Sequence, residues 1–132
     1  MWRGSAGSRG SRRPNEVGYG SSVPIIDIPT DRIHDWNTFH DVFSEVLGFP
    51  EFYGRNMDAW IDCLTHVDDD PPDLTTVSVA PGDVLTLQLQ AADRFAEQCP
   101  EQYNALVSCS AFVNWRRIEI GERPILALPF YR

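Results

Sequence analysis

Two aspartates, Asp58 and Asp62, stand four residues apart in a segment where apolar residues recur every three or four positions. On an α-helix that spacing makes their carboxylates neighbours on one face. Such a pair can trade protons as acid and base, hold a divalent cation, or present negative charge to a basic partner. It can also be ordinary solvated charge. No Ser–His, Cys–His or HExxH arrangement accompanies the pair, which argues against an enzyme. Asp68, Asp69 and Asp70 follow, but without the spaced ligands and glycine of a calcium loop they read as a solvated acidic turn. Cys63, Cys99 and Cys109 are odd in number and far apart, so neither a disulfide framework nor a zinc site is expected. His34 and His40 read as surface or satisfied core residues. His66 shares the acidic face, where it offsets the aspartates and can make binding pH-sensitive.

The elements that must position the pair can be read outward from it. At about 100° per residue, residues 56–67 are sharply two-faced. Met57, Trp60, Ile61, Cys63, Leu64 and Val67 share one side, and Asp58, Ala59, Asp62, Thr65 and His66 take the other. Asn56 stands where an N-cap belongs, and Asp58 in the first turn favours the positive end of the helix dipole. Upstream, Ile33, Trp36, Phe39, Phe43, Val46 and Leu47 predict a helix over 35–47, with Asp35 near its start and Gly48 as its stop. Residues 49–55 are the loop between the two helices.

Apolar runs over 23–28, 84–89 and 124–130 predict three strands, while 75–79 reads as edge strand or loop. A short helix is expected over 91–98, stopped by Pro100. A long one is expected over 101–119, with Tyr103, Leu106, Val107, Ser110, Ala111, Asn114 and Ile118 along one side. The DDDPPD stretch at 68–73 is a turn-rich connector. Strands separated by helices give an α/β domain with a mainly parallel sheet.

Charge separates two regions. Residues 1–22, rich in Gly, Ser and Arg, carry a net +3 against −8 for the chain, so the rest carries −11. The first region reads as a disordered basic tail or a cloning remnant, and residues 23–132 as the domain. An acidic domain repels nucleic acid and attracts basic partners, with steering that fades as salt rises. No apolar run approaches a membrane span or a signal peptide, so a cytoplasmic location is expected.

The stretch from Phe49 to Thr65, FPEFYGRNMDAWIDCLT, resembles the signature of the barstar family of intracellular ribonuclease inhibitors. That family reads Leu-Pro-Glu-Tyr-Tyr-Gly-x-Asn-Leu-Asp-Ala-Leu-x-Asp-Cys-Leu-Thr there, up to variation. The order of elements from residue 23 onward is also similar, with extra residues around 73–83. The resemblance implies a three-stranded parallel sheet with helices packed against it, and an inhibitory surface made by the second helix and its preceding loop. It matches Asp62 to the aspartate that enters the enzyme's phosphate site, Asp58 to a second acidic contact, and Phe52 to an aromatic loop contact. Tyr53, Gly54, Asn56, Ile61, Thr65 and His66 complete the implied partner-binding set. The family carries tryptophan where this chain has Ile61 and Val67, and glycine where it has His66. Arg116 and Glu119 fall in the region of the family's distal glutamate.

The function so implied is an immunity-type inhibitor of a basic, secreted ribonuclease, with a carboxylate standing in for phosphate. The alternative is a module of the same fold that neutralises a different secreted toxin. Without a ligand cluster or a long exposed apolar stripe, the free chain is expected to be a monomer without metal or cofactor.

Overall fold

Local caps fix where α1 (Trp36–Leu47) and α2 (Met57–Thr65) begin and end in the computed structural model, which describes residues 24–129. The expected tail over 1–22, and the outer strand ends Val23 and Phe130, lie outside the described residues. Asp35 accepts the Thr38 backbone N–H at 2.9 Å while the Thr38 hydroxyl accepts the Asp35 N–H at 3.0 Å. This reciprocal box satisfies donors that the first turn leaves free. Gly48 ends α1 in the left-handed region, φ 69°, and a Cβ there would collide with the Thr76 side chain. Asn56 caps α2 by accepting the Ala59 N–H at 2.8 Å.

Three parallel strands, β1 (Ile25–Ile28), β2 (Leu85–Leu89) and β3 (Leu126–Ala127), form a sheet in the order β1-β2-β3. Ile25 lies opposite Thr86 and Ile28 opposite Leu89, while Leu85 lies opposite Leu126. Parallel neighbours need crossovers. A 3₁₀ turn (Thr30–Arg32), α1 and α2 make the first; α3 (Ala92–Gln98) and α4 (Pro100–Glu119) make the second. Pro100 does not merely stop α3. It opens α4 at the position where the missing N–H is tolerated. Residues 75–79 form no strand; Thr76 N–H donates to Leu47 O at 3.0 Å and Val79 N–H to Val67 O at 3.2 Å. The last strand is shorter than the apolar run suggests. The Asn114 carboxamide, projecting from α4, accepts the Ile125 and Leu126 N–H groups at 2.9 and 3.0 Å and donates to Leu126 O at 2.9 Å. A side chain thus takes hydrogen bonds that a longer ladder would have made.

The core lies between sheet and helices, with Phe39, Phe43, Leu47, Trp60, Leu64, Leu85, Leu87, Leu106 and Ile125 almost wholly shielded. Trp60 meets Phe43 edge to face, ring centroids 5.8 Å apart, which locks the back of α2 onto α1.

The facing of α4 differs from expectation. Its buried positions are Gln102, Leu106, Ser110, Val113 and Arg117, whereas Val107, Ala111 and Ile118 are exposed. Apolar residues alone do not mark its inner face, because a buried arginine and two buried polar residues share that face with Leu106 and Val113. Phe112, Trp115, Ile118 and Ile120 are left in solvent, so the described residues do carry an exposed apolar stripe.

Candidate functional site

The inner positions of α2 are filled as the wheel predicts. Trp60, Ile61, Cys63, Leu64 and Val67 are buried, and burial pushes the Cys63 thiol up to about 11, helped by the adjacent Asp62 carboxylate. The outer positions Asp58 and Asp62 are exposed. Among the described residues neither carboxylate has an ion-pair partner, whereas Asp41, Glu45 and Asp68 are each matched to an arginine. Two unmatched carboxylates one helical turn apart repel each other by roughly 0.2–0.5 kcal/mol. A basic ligand between them would turn that repulsion into attraction.

The end of α2 is tied back into the helix. The Thr65 hydroxyl donates to Ile61 O at 2.6 Å, and the ring Nδ1 of His66, as donor, meets Asp62 O at 3.0 Å. This leaves the other ring nitrogen of His66 for solvent or a ligand. Asn56 also reaches back, donating from Nδ2 to Gly54 O at 3.3 Å. Asn56→Ala is therefore expected to lower stability by about 1 kcal/mol and to fray the first turn under Asp58. Thermal melts and amide exchange at residues 57–60 would check it.

The loop before α2 divides the implied contact set. Phe52 is 77% exposed, and Gly54 and Asn56 are exposed beside it. Tyr53 turns inward against Phe49, ring centroids 4.5 Å apart, with its hydroxyl 2.7 Å from His40 Nδ1. Tyr53 and Ile61 are thus buried, and they position the face more than they offer themselves to a partner. Arg55 holds a left-handed backbone, φ 55°, which a non-glycine residue adopts only when its surroundings enforce it. The enforcement is visible: its guanidinium donates to Asn37 O and Oδ1 at 2.9 and 2.7 Å and pairs with Asp41 at 2.9 Å.

Burial holds the His40 imidazole below its ordinary value, reinforced by Arg55 and opposed by Asp41. The neutral ring is the one that fits. Its contribution to stability is complete above the unfolded value of about 6.5 and is lost as pH falls below it. The melting temperature should therefore decline below about pH 6.5, and less so in His40→Gln, which keeps a neutral partner for Tyr53. Equal slopes in the two proteins would show that His40 is not the titrating group.

Sequence reasoning did not find the residue that clamps α2 from behind. Arg117, 7% exposed, crosses from α4 and forks onto Asp68 at 3.1 and 2.7 Å. It also donates to Thr65 O and to Arg123 O, both at 3.0 Å. One guanidinium thus joins the last carbonyl of α2, the acidic turn after it and the loop beyond α4. The one available signal was its place on the Leu106–Ser110–Val113 row. Asp68 is consumed in this pair, while Asp69 and Asp70 stay exposed. Among the described residues there is no metal-binding cluster.

Comparison with known proteins bears on these features. The family model described as Barstar (barnase inhibitor) matches residues 23–123. Over 26 residues the chain is 58% identical to a protein of Bacillus subtilis (strain 168), YrdF, provisionally named a ribonuclease inhibitor. That match covers 20% of this chain and 29% of the relative, so it spans less than a third of that protein's length.

Proposed function

The chain belongs to the barstar family, and on that premise we propose that it is a protein inhibitor whose α2 face and preceding loop block the active site of a basic ribonuclease. The observation that carries the reading is the pair Asp58 and Asp62, exposed, without an arginine partner among the described residues and held on a helix whose back is locked into the core. A ribonuclease gathers cationic side chains around the scissile phosphate, and a rigid carboxylate can take the phosphate's place. Rigidity matters because a flexible carboxylate would lose ordering entropy on binding. Phe52 supplies apolar area beside the charges, and Thr65 and His66 extend the face past Asp62. The complex is one of binding without turnover, formed in the cytoplasm against an enzyme whose activity belongs outside the cell. No helix of the described residues is long and apolar enough to cross a membrane.

The test is titration of the purified chain into barnase and other secreted basic ribonucleases, with cleavage of a fluorogenic RNA as the readout. The expected result is stoichiometric loss of cleavage, weaker at high salt, with no RNA cleavage by the chain alone. His66 where the family has glycine, and Ile61 and Val67 where it has tryptophan, favour an enzyme other than barnase itself. If no ribonuclease is inhibited, the face instead caps a different basic toxin.

A further inference from the structure

Phe52, on the loop between α1 and α2, is the most exposed large apolar side chain of the described residues, at 77%. An aromatic ring in water offers a partner apolar area, and it binds best when its loop already holds one conformation. An inner and an outer tie hold the far end of this loop to α1. The inner tie is the Tyr53 hydroxyl against His40 Nδ1 at 2.7 Å, on the core side. The outer tie is Arg55, at a position that the family signature leaves open. One terminal nitrogen of its guanidinium meets three oxygens of α1. They are Asn37 O at 2.9 Å, Asn37 Oδ1 at 2.7 Å and Asp41 Oδ1 at 2.9 Å. Both ties fall within three residues of Phe52. As a salt bridge the outer one adds little to fold stability, because the two side chains are 41% and 52% exposed. Its geometric consequence is larger: it anchors a residue at φ 55° and so fixes where the loop enters α2.

We propose, resting on the inhibitor reading above, that Arg55 is a positioning residue for inhibition. Anchored on Asn37 and Asp41, it keeps the Phe52 loop in its binding conformation and acts through Phe52 rather than by contact with the partner. A loop that holds the competent conformation for only a fraction of the time binds with its dissociation constant raised by the inverse of that fraction. Loop motions run on the nanosecond-to-microsecond scale, faster than encounter at micromolar protein. The loss therefore falls on association, and dissociation barely changes. A lost direct contact does the reverse and mainly speeds dissociation. A bare surface cation facing a basic enzyme has a third signature, since removing it speeds association. Asp41 pairs with the guanidinium and turns its charge onto α1, so that third effect is small.

Stopped-flow kinetics of the full chain with an inhibited basic ribonuclease test the proposal at about 0.05 M salt, where steering is strong. Arg55→Asn removes the guanidinium with a residue that tolerates the left-handed backbone. It should slow association about 3- to 10-fold and change dissociation by less than about twofold. Asn37→Ala alters no charge and leaves the loop sequence intact, and should slow association in the same sense by a smaller factor. Combined with Arg55→Asn it should add almost nothing, because both substitutions break one tie. Amide exchange at residues 51–54 of the free chain should quicken in both variants, while residues 60–64 keep their protection. An Arg55→Asn chain that associates as fast as the parent, or that only dissociates faster, overturns the proposal and leaves the inhibitor reading standing. Unchanged exchange at 51–54 overturns it as well. A parent chain that inhibits no ribonuclease overturns the inhibitor reading and this role with it.

Discussion

Asp62→Ala is expected to dissociate from its ribonuclease about 30- to 5000-fold faster, the equivalent of about 2–5 kcal/mol. The barnase–barstar pair itself contributes to that range, so it is a family expectation. The loss has two parts: the carboxylate's own hydrogen bonds, and the enzyme cations left desolvated without a counter-charge. Fold stability should barely change, because Asp62 is exposed and alanine is the better helix former. Asp58→Ala should weaken binding less, since it also relieves the repulsion between the two carboxylates. Stopped-flow dissociation and thermal melts on both variants separate these effects. If Asp62→Ala dissociates as slowly as the parent, the carboxylate is ordinary surface charge and the active-site plug fails.

The opposite signature is expected for Arg117→Met, which should cost about 3–5 kcal/mol of fold stability. For a domain of this size that lowers the melting temperature by about 10–25 °C. Methionine fills part of the volume but leaves Asp68, Thr65 O and Arg123 O without the guanidinium. The decisive companion is Asp68→Leu combined with Arg117→Met, because replacing both members of a buried pair by apolar residues is often neutral. Recovery of most of the lost stability in the double variant would show that the single variant suffers from an unpaired charge. An Arg117→Met protein that melts within about 3 °C of the parent would show that the clamp carries little, since less than 1 kcal/mol would then be at stake.

What could be read from the sequence follows the range of the forces involved. The limits of α1 and α2 were legible to within a residue or two, because Asp35, Asn56 and Gly48 act on backbone three or four positions away. The acidic face was legible because one helical period generates it. Tyr53 was not seen as buried, since nothing near it in sequence announces His40 as its partner thirteen residues earlier. Arg117 escaped for the same reason: its partners lie 49 and 52 residues away. The facing of α4 was misjudged because Val107 and Ile118 look like core residues, while Gln102 and Arg117 do not.

The division of α2 has a consequence for how such a protein can change over generations. Positions 60, 61, 63, 64 and 67 are answerable to the fold, and positions 58, 62 and 66 to whatever lies outside it. The two sets interleave along one short helix yet share no residue. A lineage can therefore rewrite the outward letters to follow a drifting enemy, one substitution at a time, while the inward letters keep the molecule folded throughout.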